Sequence, residues 1–137
     1  MLFRSYDKLT TDFSSSSYSD QAILLMAKYL FEAGSYTQAL GVIKPLINNP
    51  SSVIANTSAL RAASIYLQLG QHDQALSILE GQSEDRFLGL IYNLMGDIYL
   101  DLGNRSEAQK YYGLAIDNIS ENSNLSQFIQ IKLDDLN

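Results

Sequence analysis

A chain of 137 residues suffices for one domain or one short array and is too short for two ordinary globular domains. With 46% hydrophobic residues, 18% charged residues and two prolines, it can bury a core and is excluded from the disordered class. Fifteen acids against nine bases and one histidine argue against nucleic acid as a ligand, and the lack of cysteine removes disulfide scaffolds and thiol chemistry.

From the N-terminus onward the elements read as helices. Met1–Ser5 lacks the apolar stretch and small-residue cleavage site of a signal peptide. The longest apolar run, 22–27, is far shorter than the roughly 18–20 residues a bilayer span requires. A short helix is expected near 2–13 and a turn at Ser14–Ser17, so residues 1–19 form a leading helix and a serine-rich turn. Helix pairs follow at about 20–33 with 36–48, 53–69 with 72–80, and 86–102 with 105–119, and a last helix at 124–136. Asp20 and Asn124 are the expected N-caps of the first and last of these, and Ser106 with Glu107 supplies an acidic first turn. Pro50 closes the first pair, and Gly81–Asp85 closes the second early.

Three segments fall into register on a glycine. Gly34, Gly70 and Gly103 lie 36 and 33 residues apart, bracketing the roughly 34-residue period of a tetratricopeptide repeat. In each segment a small residue (Ala27, Ala63, Gly96) lets two helices approach. Three positions on, a larger one (Leu30, Tyr66, Tyr99) fills the space between them. The glycine sits just past the first helix, where left-handed backbone is required, and an alanine five residues later (Ala39, Ala75, Ala108) again permits close packing. The expected fold is therefore all-α, a tetratricopeptide-repeat-like helical solenoid with repeats at about 20–52, 53–85 and 86–121. The helix at 124–136 caps it, burying one apolar stripe of Leu125, Phe128, Ile129, Leu133 and Leu136.

Catalytic chemistry finds no support. His72 occupies the position that Tyr36 holds in the first repeat, which gives it a packing role between helices. One histidine without cysteine builds no ordinary zinc site. Asp97 and Asp101 share a helix face and, with no His or Arg partner in view, read as a solvated surface. Glu84 with Asp85, and Asp134 with Asp135, are adjacent pairs that point apart. No catalytic residue, cofactor or metal is expected, and the chain reads as a non-enzyme.

Repeat arrays bind partners on the face made by the first helix of each pair. That register places Leu24, Lys28 and Phe31 on the face from the first pair, and Leu60 and Leu67 from the second. The third contributes Leu90, Asn93, Asp97, Leu100 and Asp101. The lysine and asparagine arrangement that grips a C-terminal carboxylate in chaperone-binding tetratricopeptide domains is missing. An apolar groove with an acidic end suits an amphipathic helix or an extended apolar peptide carrying basic residues. The alternative is a face covered by residues 2–13 or by a second copy, which would make the domain a homo-oligomerising scaffold. Charge is uneven: residues 1–70 hold five bases and four acids, residues 71–137 four bases and eleven acids, an asymmetry that would repel nucleic acid and anionic lipid from the second half.

The closing stretch carries a more specific signal. Gly96-Asp97, Leu102-Gly103-Asn104 and Ala108, followed by Leu125, Ser126, Gln130, Lys132 and Leu136 in order, resemble the C-terminal end of the bacterial YfgM-like family of ancillary SecYEG translocon subunits. The resemblance covers most of the chain from about Ser5. It implies an inner-membrane protein with one N-terminal span and a soluble tetratricopeptide domain facing the periplasm. It further implies contacts with the translocon and periplasmic chaperones during protein export, and a link to envelope stress regulation. The span and the first helix after it have no counterpart in this sequence, so the resemblance implies a soluble fragment.

Overall fold

The computed structural model describes residues 19–137; the expected leading helix at 2–13 and the Ser14–Ser17 turn lie outside the described residues. Among the described residues every regular element is helical, and the chain is all-α. Seven α-helices follow one another: α1 (Asp20–Glu32), α2 (Tyr36–Ile43), α3 (Ser52–Gln68), α4 (His72–Glu80), α5 (Leu88–Asp101), α6 (Arg105–Asp117) and α7 (Asn124–Asp135). Short 3₁₀ segments at Lys44–Asn48 and Asp85–Phe87 extend α2 and lead into α5.

Local chemistry accounts for these boundaries. Ser19 and Ser123, not Asp20 and Asn124, are the N-caps of α1 and α7. Their hydroxyls accept from the amides of Ala22 and Ser126, at 3.2 and 3.0 Å. Asp20 and Asn124 thus fall in the first turn, where Asp20 still favours the positive helix end. Asn104 caps α6 in the same way, its Oδ1 accepting from the Glu107 amide. The helix expected over 36–48 changes character at Lys44. Pro45 has no amide hydrogen and its ring collides with the carbonyl four residues back, so the chain tightens into a 3₁₀ segment.

Gly34, Gly70 and Gly103 all have positive φ, 78°, 73° and 81°. At the first and last of these the next amide reaches back over the turn, Ser35 to the Leu30 carbonyl at 2.8 Å and Asn104 to that of Tyr99 at 2.9 Å. The register on glycine is thus a register on one kind of helix stop.

The chain divides into two compact units, Met1–Gly70 and Gln71–Asn137, and the division falls between α3 and α4, inside the second helix pair. In the first unit α1, α2, the 3₁₀ segment and α3 share a core. Ala39, Ala59, Ala62 and Ala63 are fully buried, and with nothing beyond Cβ they let the backbones come close. Leu30, Val42, Ile43, Leu46, Ile65 and Tyr66 fill the space between. Each such aliphatic side chain contributes about 2 kcal/mol of burial. Asn49 Nδ2 donates to Asp20 Oδ2 at 3.1 Å, tying the end of the 3₁₀ segment to the start of α1.

In the second unit α4 contributes Ala75 and Leu79, α5 contributes Ile91, Met95 and Ile98, and α6 packs on both α5 and α7 through Ala108, Tyr112 and Ala115. A Cβ placed on Gly96 would stand 2.5 Å from the Tyr112 ring, so glycine there is what admits the tyrosine. Gly89 similarly leaves room for the Ile119 side chain. Helix α7 docks through Ile129, which is fully buried, but Phe128, expected in the same buried stripe, is 56% exposed because it lies about 100° around the helix from Ile129. Its end is pinned by Arg105 Nη2 and Gln109 Nε2, both donating to the Leu136 carbonyl at 3.0 Å. Tyr99 is only half-buried, and it stacks on Tyr111 with ring centres 5.3 Å apart and planes 6° from parallel.

Candidate functional site

In the first unit, four of the five residues placed on the binding face by the sequence register, Leu24, Lys28, Phe31 and Leu60, border two clefts between α1 and α3. The smaller, about 180 Å³, is lined by Ala27, Phe31, Leu60, Arg61, Ser64 and Ile65. The larger, about 450 Å³, is lined by residues of both helices, among them Leu24, Leu25, Lys28, Val53 and Arg61. Helix periodicity explains the set: Leu24, Lys28 and Phe31 follow each other at one-turn spacing on α1, as do Thr57, Leu60, Arg61 and Ser64 on α3. Phe31 is held by Tyr36, the first residue of α2, with ring centres 5.3 Å apart and planes inclined at 59°. The Ser64 hydroxyl donates to the Leu60 carbonyl within its own helix at 3.0 Å, which leaves the cleft wall largely apolar.

The placements differ from residue to residue. Leu24 is 9% exposed, a core side chain that presents only an edge to the larger cleft. Leu67 is half-buried and lines neither cleft. Leu25, which the sequence register left off the face, is 68% exposed and lines the larger cleft; its neighbour in the wall, Val53, is also exposed. Arg61, likewise absent from the sequence-based set, belongs to both clefts, and its Nε is out of solvent without a hydrogen-bond partner. The register alone could have found it, because it lies one turn after Thr57.

In the second unit Leu90 and Leu100 are exposed. The polar residues beside them are already engaged within the chain. Lys132 of α7 donates from Nζ to Asn93 Oδ1 at 2.7 Å and to Asp97 Oδ1 at 2.9 Å. The same ammonium lies 4.7 Å from the centre of the Tyr112 ring, and the Tyr112 hydroxyl donates to Asp97 Oδ1 at 2.5 Å. Burial first, and then the hydrogen bond to Asp97 and its charge, hold the Tyr112 phenol far above its usual pKa.

Asp101 is equally committed: its Oδ2 lies 2.6 Å from His72 Nε2. The expectation of a solvated pair without a His or Arg partner is corrected in part: Asp101, still exposed, meets His72, and Asp97 is held by Lys132 and Tyr112. His72 and Tyr112 lie 29 and 15 residues away from these acids in sequence, and only the folding of α4 and α6 onto α5 brings them near. His72 does sit between helices, and it adds a polar tie from α4 to α5.

Among the described residues no three His, Asp or Glu side chains stand together in a way that could hold a metal ion. Also among them, no helix is long and apolar enough to cross a membrane. What the arrangement offers chemically is an apolar cleft with two cationic side chains in the first unit, and exposed leucines beside a self-satisfied polar network in the second.

Comparison with known proteins turns this geometry into a family assignment. The chain is 32% identical over 130 residues to a protein of Neisseria gonorrhoeae named ancillary SecYEG translocon subunit, covering 94% of this chain and 62% of that protein. A protein of the same name from Aggregatibacter actinomycetemcomitans is 33% identical over 122 residues, covering 88% and 59%. A third, from Buchnera aphidicola, is 26% identical over 125 residues, covering 90% and 64%. The chain thus spans about six-tenths of the length of the curated relatives it matches. The family model described as tetratricopeptide repeat-like domain matches residues 2–137, nearly the whole sequence. With its helix pairs, its left-handed glycine stops and that match, the chain belongs to the tetratricopeptide repeat-like family and is a protein-interaction module, not an enzyme.

Proposed function

We propose that this chain is the protein-binding domain of an ancillary subunit of the SecYEG translocon, and that it works by shape and apolar contact with no bond made or broken. The observation that carries this reading is the similarity along 94% of the chain to a protein named for that role. In the full reading the protein is held at the bacterial inner membrane, this domain faces the periplasm, and it links export to periplasmic chaperones and to envelope stress regulation. The candidate contact residues are Lys28, Phe31 and Leu60 in the first unit and, taken separately, Leu90 and Leu100 in the second. The test is affinity purification of the full-length protein from detergent-solubilised membranes, with translocon subunits and chaperones quantified by mass spectrometry. Enrichment of translocon subunits is expected, and their absence would sink the assignment. Enrichment of translocon subunits without chaperones would retire the chaperone link alone.

A homo-oligomerising scaffold is the second reading. Phe128 and Ile131 on α7, 56% and 66% exposed, favour it, because a second copy could cover them. Sedimentation equilibrium over a wide concentration range separates the two, since a strictly monomeric species excludes self-pairing.

A further inference from the structure

The acids on the binding face, which as a sequence point to a basic ligand, have partners within their own unit, whereas the cations facing the first-unit clefts have no acidic partner among the described residues. In the second unit Lys132 engages Asp97, His72 meets Asp101, Arg86 pairs with Glu84 and Lys110 with Glu107. In the first unit neither Lys28 nor Arg61 has an acidic group within ion-pair distance among the described residues, and both line the larger cleft. Among the described residues they are the only charged side chains that line either cleft. Glu32, one turn beyond Lys28, borders neither.

Arg61 is the sharper of the two. It stands where the clefts meet, with Nε removed from water and unsatisfied, and a guanidinium in that position presents a fixed planar fork to whatever enters. A buried N–H without a partner is costly, and a charge beside apolar walls is weakly screened. The complement of such a fork is a carboxylate.

We infer that the cleft between α1 and α3 docks an acidic amphipathic segment of a protein partner, seating apolar side chains against Phe31, Leu60 and Leu25 while its carboxylates meet Arg61 and Lys28. This rests on the reading of the chain as a protein-interaction module and names the chemistry of its ligand. The segment 1–18 is a poor complement, with Arg4 and Lys8 balancing Asp7 and Asp12.

The experiment uses the whole chain and two fluorescent, helical peptides of about 16 residues that share one leucine stripe. The polar positions are Glu and Gln in one and Lys and Gln in the other, and binding is read by anisotropy at low salt. The Glu peptide is expected to bind, with affinity falling as salt rises. Arg61→Gln and Lys28→Gln should each weaken it by roughly threefold to tenfold. Leu25→Glu, at an exposed position that leaves helicity intact by circular dichroism, should abolish it. The Lys peptide should show no binding that Leu25→Glu removes.

The inference is overturned if the Glu peptide does not bind, if its binding survives Leu25→Glu, or if the Lys peptide binds this cleft as tightly. A dimer in sedimentation that Leu25→Glu dissolves would assign the cleft to a second copy and overturn it as well. A chain that recovers translocon subunits from membranes yet ignores the Glu peptide would retire the acidic ligand and leave the proposed function standing.

Discussion

Tyr112 is the residue on which the second unit turns: fully buried, admitted by the missing side chain of Gly96, and bonded through its hydroxyl to an aspartate that Lys132 also holds. Tyr112→Phe keeps the ring and removes that hydrogen bond, so at neutral pH urea denaturation should report a loss of about 1–2 kcal/mol. The pH dependence has a definite sign. The folded-state pKa lies above the unfolded value of about 10, so the contribution of the neutral phenol is complete below pH 10 and is lost as pH rises through the folded value. The gap between wild type and Tyr112→Phe should therefore narrow above pH 10. Some alkaline loss should persist in the variant, because burial also raises the pKa of Tyr99 and Tyr111. A gap that stays constant to high pH would remove Tyr112 as a source of the dependence. At this scale the small residues were legible in the sequence, since Ala27, Ala63 and Gly96 recur at a fixed distance before a glycine. The partners of Asp97 and Asp101 were not legible, because a contact across 29 or 35 residues leaves no periodic trace.

Among the elements, α7 shows how much a helix start matters. The connection after α6 has few buried side chains, and α7 begins where the Ser123 hydroxyl accepts from the Ser126 amide. Ser123→Ala should cost about 1 kcal/mol, lowering the thermal midpoint by about 3–5 °C, whereas Ser120→Ala, at an exposed position nearby, should leave it unchanged. Equal midpoints for the two variants would show that the cap contributes nothing. Helix number and order were readable from apolar spacing and from the three glycines. Ends were less so: the caps at Ser19 and Ser123 sit one residue before the expected ones, since serine and aspartate or asparagine are both good caps and only hydrogen-bond geometry chooses. On α1 the register named Leu24, Lys28 and Phe31, all of which line the clefts, and missed the adjacent Leu25, which is far more exposed than Leu24. A shift of one residue turns a helical side chain by about 100°.

At the scale of the whole chain, the change in charge and the structural division coincide at Gly70. The unit Met1–Gly70 carries five bases and four acids, and Gln71–Asn137 carries four bases and eleven acids. The charge change was countable from the sequence; the structural division was not, because the repeat period groups α3 with α4 whereas packing groups α3 with α1 and α2. That division has a consequence for how the chain tolerates being lengthened. About six Gly and Ser residues inserted between Gly70 and Gln71 fall at the boundary of the two units and should cost about 1 kcal/mol or less of loop entropy. The same insertion between Asn49 and Pro50 pulls apart the bond that the Ser51 amide donates to Asn49 Oδ1, and loosens the one that Asn49 Nδ2 donates to Asp20. Urea midpoints of the two variants should rank in that order, and the reverse ranking would mean that the repeat, rather than the packed unit, is the piece that sequence changes must respect. Under the expected ranking, a natural or engineered insertion finds its safest place inside a repeat, at the glycine that looks from sequence alone like its middle.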